Sequence, residues 1–140
     1  MDIRILLPDD LQNGFLESLE SLKPTGLSPE EALNVYWLRS SNIHTYVAIE
    51  DGKVIGTATL ILERKFINKG GMVGHIEDVA VHKNKQGCGV GKKLVDHLVE
   101  AAKGWGCYKI ILDCAADLIP YYSKSGFKEW STGMRIDLPH

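Results

Sequence analysis

The chain has 140 residues, 44% of them hydrophobic and 24% charged, with a formal net charge of −2. That length suits a single domain with one buried core, and the near-balanced charge gives no overall pull toward nucleic acid or an anionic membrane surface. No apolar run approaches the roughly 20 residues of a membrane span, so the expectation is one cytoplasmic domain over residues 1–140, with neither nucleic acid nor membrane among its partners.

The elements read in chain order as follows. Ile3 to Leu7 is a short strand, and the stretch from Met1 to Pro8 is too short, with Asp2 too acidic, to be a signal peptide. Asp9 to Leu22 follows as a helix with Leu11, Phe15, Leu19 and Leu22 at helical spacing. Pro24-Thr25-Gly26 breaks the chain. Ser28, Pro29 and Glu31 then supply an N-cap, a proline at the first helical position and a capping-box glutamate for a helix to about Ser40. Thr45 to Ile49 and Val54 to Leu62 alternate as strands around the turn pair Asp51-Gly52. Asn68 to Gly71 is a turn and His75 to Val81 a further strand. A helix from Val90 to about Trp105 places Val90, Leu94, Val95, Leu98, Ala101, Ala102 and Trp105 on one stripe. Ile110 to Leu112 is a continuous apolar run, as in a buried parallel strand. Pro120 opens a last short helix, and Phe127 to Ile136 returns as a strand. This order predicts a mixed α/β (α+β) sheet with helices on its faces. The cysteines at 88, 107 and 114 are odd in number and lack metal spacing, which reads as reduced thiols and no bound metal.

The densest signal is Gln86-Gly87-Cys88-Gly89-Val90-Gly91-Lys92, which joins the strand ending at Val81 to the helix starting at Val90. Three glycines in five residues let backbone N–H groups approach a ligand closely, and the helix points its positive dipole end at the same place. The run is neither a P-loop, since Lys93 follows Lys92, nor a dinucleotide fingerprint, since Lys92 stands where a third glycine is required. From spacing alone it is either a pyrophosphate cradle or only a turn.

Its neighbours narrow the choice. Gly74-His75-Ile76-Glu77-Asp78-Val79-Ala80-Val81 lies upstream, and Leu112-Asp113-Cys114 with Tyr121-Tyr122-Ser123-Lys124-Ser125-Gly126-Phe127 lies downstream. The succession of strand, Gln-x-x-Gly-x-Gly, long helix, strand and Tyr-x-x-x-Gly-Phe resembles the GNAT superfamily of acetyl-CoA-dependent N-acetyltransferases. Between Glu63 and Phe127 it is most similar to the glucosamine-6-phosphate N-acetyltransferase branch. The resemblance implies a GNAT fold: a central mixed, mostly antiparallel sheet, splayed between its fourth and fifth strands where acetyl-CoA enters as co-substrate. It implies a homodimer, an amino-sugar phosphate as acceptor, and direct transfer without an acyl-enzyme.

The same resemblance gives roles to residues. Val79, Ala80 and Val81 would hold the pantetheine arm and the acetyl oxygen by backbone pairing, and Gln86, Gly87, Cys88, Gly89, Val90, Gly91 and Lys92 would hold the pyrophosphate. Tyr122 would return a proton to the coenzyme sulfur, whereas the residue alone reads first as a core tyrosine packing beside Phe127. Glu77 or Asp78 would accept the amine proton. As neighbours in a strand they point to opposite faces unless a bulge intervenes. Lys65, Phe66, Ile67, Asn68, Tyr108, Lys109 and Asp113 would line the substrate, with Glu77 and Asp78. Two positions depart from the pattern. Leu118 stands where the family has a coenzyme-contacting asparagine, and Asp137 where it has a phosphate-binding arginine, for which Arg135 on the same strand face would substitute. A GNAT enzyme for another small amine (a polyamine, an amino acid, a protein N-terminus) and a non-catalytic acyl-CoA-binding module remain as alternatives.

Overall fold

A computed structural model describes residues 1–140. Five strands form one sheet in sequence order: β1 (Asp2–Ile5), β2 (Ile43–Glu50), β3 (Lys53–Arg64), β4 (Met72–Val81) and β5 (Cys107–Ile111). All neighbours are antiparallel except β4 and β5, which run parallel. The parallel step requires a crossover, and α4 (Val90–Gly104) provides it. No helix is long and apolar enough to cross a membrane.

Strand alternation divides the sheet into two faces. Ala58, Leu60 and Leu62 of β3 turn toward α4, whose Val90, Leu94, Val95, Leu98 and Ala102 are buried against them. The helical stripe read from the sequence is therefore the principal core, and each of Leu60, Leu94 and Leu98, fully enclosed, stabilises the fold by roughly 1.5–3 kcal/mol. On the other face, Leu6, Leu11, Ala32, Val47 and Val54 make a smaller core beneath α1 (Phe15–Glu20) and α2 (Pro29–Leu38). The alternate β3 residues Thr57, Thr59 and Ile61 line a cavity of about 330 Å³ between this pair of helices and the sheet.

Four expectations about elements change, the first being that the parallel strand runs over Cys107–Ile111 rather than Ile110 to Leu112 and, as the sheet edge, holds no buried residue. The helix expected from Asp9 to Leu22 is split: a 3-10 turn spans Pro8–Gln12, and α1 begins only after Gly14, which adopts φ 97°. Buried Asp10 fixes this entry. It takes a two-pronged contact from Arg4 (2.7 and 2.9 Å) and the Leu7 N–H at 2.8 Å. Burial raises the Asp10 carboxyl, but these donors outweigh it and hold the group below its ordinary value. α2 stops at Leu38, two residues short of the expected end, although its Ser28–Glu31 capping box forms as read. Finally, the strand expected over Phe127 to Ile136 does not form. The chain after α5 (Ile119–Ser123) carries no regular structure, and Trp130, Met134, Ile136 and Leu138 are 71–96% exposed. A strand needs an edge to pair with, and no edge of this sheet receives the segment.

Candidate active site

The sheet opens where β4 and β5 part. Their pairing runs from Met72↔Cys107 to His75↔Ile111 and ends there, while β4 continues beside β3 as far as Val81. From Ile76 onward, the β5-facing edge of β4 has no strand partner. Its backbone donors and acceptors can serve an extended amide-bearing ligand as a strand would. Gln86 donates from Nε2 to the Val81 carbonyl at 3.1 Å, tying the glycine loop to this edge.

Within the loop, Gly87 and Gly89 adopt φ 80° and 82°, and no heavy atom lies within 4 Å of a Cβ built at either. Bare backbone thus faces open space at the N-terminus of α4, as an anion cradle requires. Gly91 has a different reason for its identity. It is buried, and a Cβ there would overlap the Tyr121 hydroxyl and approach Val81 Cγ2 at 3.5 Å. Lys92 is held by Asp96 at 2.6 Å, and Cys88 is exposed.

A β-bulge then answers the question left open for the carboxylates. Thr57 pairs with Ala80 and Thr59 with Glu77, so β4 spends one more residue than β3 over this interval. Asp78 absorbs it with φ 51°. The normal alternation breaks and Glu77 and Asp78 both line the cavity under α1 and α2. The Glu77 side chain reaches solvent but is still desolvated enough to raise its carboxyl above the ordinary glutamate value. Asp78 and Asp113 push the same way, against a smaller lowering by His75. Asp113 follows β5 at its carboxyl end, where ligands gather in sheets with parallel pairs.

The two tyrosines of α5 divide the space. Tyr122 packs edge-on to Phe127 at 6.3 Å between centroids and lines a cleft of about 830 Å³ bounded by β5, α5 and the tail. Burial first, then Tyr121 and Cys114, raise its phenol, which stays protonated at neutral pH. Tyr121 meets Tyr122 edge-on at 5.0 Å and reaches Gly91 with its hydroxyl, so it too borders the opening. The sequence drew no attention to it beyond packing.

The proposed substrate residues are not all brought together. Lys65 pairs with Glu63 at 3.0 Å, and Glu63 with His75 at 2.9 Å. Thr59 stands opposite Glu77, and Lys65 lies six positions further on, just past the end of β3, which is about 20 Å at strand rise. Phe66 and Ile67 are exposed on the turn α3 (Ile67–Gly70), where Asn68 has φ 51°. Tyr108 packs its ring on Gly71, and Lys109 sits 4.5 Å from the Trp130 ring, fastening the tail to β5. Arg135 pairs with Asp137 at 2.7 Å on the exposed tail and lines neither cavity. Leu118, at the family's asparagine position, is 43% exposed. The polar floor of the smaller cavity, Arg39 with Thr45 and Thr59, was not anticipated. Arg39 follows the apolar run Tyr36-Trp37-Leu38, and nothing local distinguishes it from a surface charge.

The chain matches the acetyltransferase (GNAT) family over residues 9–127. It is 38% identical over 140 residues to glucosamine 6-phosphate N-acetyltransferase 1 of Oryza sativa subsp. japonica, covering 96% of this chain and 85% of that one. It is also 38% identical over 142 residues to glucosamine 6-phosphate N-acetyltransferase of Trypanosoma brucei brucei, covering 99% and 96%. The crystal structure of glucosamine-6-phosphate N-acetyltransferase from Arabidopsis thaliana superposes with a TM-score of 0.90 at 35% identity, over 99% of this chain and 98% of that one. With the parted strands, the glycine loop and the carboxylates already in place, these likenesses lead to one conclusion: the chain belongs to the GNAT acetyltransferase family.

Proposed function

We propose that this protein transfers the acetyl group of acetyl-CoA to the amine of D-glucosamine 6-phosphate, giving N-acetyl-D-glucosamine 6-phosphate. The reading makes each copy one catalytic domain of a cytoplasmic homodimer. The observation that carries it is the bulge at Asp78, which sets Glu77 and Asp78 together at the mouth of the open β4 edge, with Asp113 close enough to influence Glu77. The names of the relatives at 38% identity support the same acceptor.

Acetyl-CoA, when bound, supplies an activated thioester. The residues present fit it: the free edge from Val79 to Val81 matches an amide-bearing arm, and the loop from Gln86 to Lys92 matches a pyrophosphate. Glu77, with its carboxyl raised above the ordinary glutamate value, is suited to take a proton from the ammonium of the acceptor, directly or through water, with Asp78 beside it. The unpaired N–H groups of the β4 edge would serve as donors to the thioester oxygen. Tyr122, whose phenol stays protonated, would be the donor to the coenzyme sulfur. Asp113 stands close enough to influence the Glu77 carboxyl, while Lys109 lines the cleft beside β5 and Tyr108 packs on Gly71. Lys65, Phe66, Ile67, Asn68 and Arg135 line neither cavity of this chain, so we assign them to the acceptor site of a partner copy.

The tail supports that dimer. Met134, Ile136 and Leu138 recur at alternate positions, with Trp130 in the same phase, the pattern of a strand with one apolar face. The long cleft beside β5 offers the tail of a second copy an apolar wall and a free strand edge. Sedimentation should give twice the chain mass of 15.5 kDa.

Two measurements check the site. Gly89→Val forces a β-branched residue into φ 82° with no side chain in its way. The fold should lose about 1–2 kcal/mol, while acetyl-CoA affinity by calorimetry falls at least about tenfold, since the lost N–H contacts go to a charged group. Unchanged affinity in the folded variant removes the cradle. Coenzyme release should then be followed with glucosamine 6-phosphate, glucosamine and spermidine as acceptors. The phosphorylated sugar is expected to show a kcat/KM at least about tenfold above glucosamine. Equal rates, or turnover of spermidine alone, rule out this acceptor.

A further inference from the structure

The cavity under α1 and α2 contains a cation, Arg39, that forms no ion pair. Arg39 leaves the end of α2 in extended conformation, with φ −70° and ψ 143°, which turns its side chain back onto β2. Nη1 donates to Thr45 Oγ1 at 2.5 Å, and Thr45 shares a hydrogen bond with Thr59 at 2.9 Å. The Tyr36 ring lies 5.3 Å from the guanidinium carbon. Nε is fully enclosed and has no acceptor, and no carboxylate forms an ion pair with the group. Arg4, Lys65, Lys92 and Arg135 each meet a carboxylate (Asp10, Glu63, Asp96 and Asp137), whereas Arg39 has an enclosed nitrogen with no acceptor at all. A half-buried guanidinium left with one neutral partner is costly for the free protein. Burial accordingly lowers the Arg39 pKa, and only Tyr36 opposes the shift.

Register shows what the charge faces. Thr45 pairs with Thr59, and Thr59 with Glu77, so the three form a row across β2, β3 and β4 on the cavity face. Arg39 sits at the β2 end and the carboxylates of Glu77 and Asp78 at the β4 end. Two strand spacings separate the ends, about 10 Å. The cavity is therefore positive at one side and negative at the other, with hydroxyls between. That is the complement of a small molecule carrying an amine at one end and an anion at the other.

We propose that Arg39 binds the phosphate of the acceptor within this cavity, so that the amine end is directed to Glu77 and Asp78. This rests on the sugar-phosphate reading and assigns the phosphate contact to a residue of the catalysing chain itself. A planar N–H fork suits two phosphate oxygens at once. The apolar surroundings contributed by Leu11, Phe15 and Leu27 strengthen the contact by excluding water.

The test compares kcat/KM for glucosamine 6-phosphate and glucosamine in wild type, Arg39→Gln and Arg39→Lys, with melting curves for all three. Wild type alone tests the acceptor: if it shows no preference for the phosphorylated sugar, the sugar-phosphate reading and this inference fall together. If wild type prefers it, Arg39→Gln should reduce the ratio roughly 10- to 100-fold. Arg39→Lys, which keeps the charge but not the fork, should retain part of it. A ratio unchanged in folded Arg39→Gln overturns the inference and leaves the acceptor standing. So does an equal loss on both sugars, which makes Arg39 structural. Should Arg39→Gln fail to fold, competition by inorganic phosphate against the acceptor decides through Arg39→Lys. A weaker inhibition constant than wild type supports the contact, and an equal one overturns it.

Discussion

Tyr122→Phe should lower kcat for acetyl transfer by roughly 10²–10⁴-fold, the usual worth of a positioned general acid, with the fold and acetyl-CoA affinity kept. The ring is half-buried against Phe127 and the α4 core, and phenylalanine preserves those contacts, so only the hydroxyl is lost. Its raised pKa keeps the donor protonated across the neutral range. Tyr121→Phe is the necessary companion, because the Tyr121 hydroxyl also borders the opening over Gly91. If Tyr122 is the acid, the Tyr121 variant keeps most of its kcat. The opposite pattern in rapid-quench measurements of the chemical step would transfer the role to Tyr121.

Glu77→Gln should cost a similar roughly 10²–10⁴-fold in kcat and should change the pH profile. A base works deprotonated, so kcat falls as pH drops through its pKa in the enzyme–substrate complex. Desolvation first, then Asp78 and Asp113, place that pKa above the ordinary glutamate value, so the acid limb begins at higher pH than a solvated carboxylate would give. Glutamine keeps the shape and removes the limb. Asp78→Asn leaves Glu77 in place but withdraws a neighbouring negative charge, so the limb should move to lower pH. A limb that survives in Glu77→Gln and disappears in Asp78→Asn names Asp78 as the base.

Much of this architecture was legible because local rules and tertiary demands agree. The stripe from Val90 to Ala102 reads as a helix and buries as one. The capping box at Ser28 and Glu31 forms where read, and the glycine loop lies between the strand and helix that its spacing suggested. What escaped was decided elsewhere in the chain. Gly14 breaks a helix of otherwise suitable periodicity because the backbone turns there at positive φ beside the Val54 carbonyl. The bulge at Asp78 follows from a register set by β3, which no property of Glu77 or Asp78 announces. The tail has strand periodicity but pairs with no edge within its own chain, so periodicity alone does not decide its state. Arg39 is the clearest case. Its importance comes from the absence of a partner, and an absence in three dimensions leaves no mark in sequence.

The proposal of direct transfer, with base and acid on opposite sides of the parted strands, is tested most directly by initial rates over a matrix of acetyl-CoA and glucosamine 6-phosphate concentrations. Intact-mass measurement of the protein should accompany each series. Direct attack requires both substrates present together, so double-reciprocal lines should intersect and the chain should never gain an acetyl group. Parallel lines, with coenzyme released and acetyl left on the protein before any acceptor is added, would contradict the mechanism.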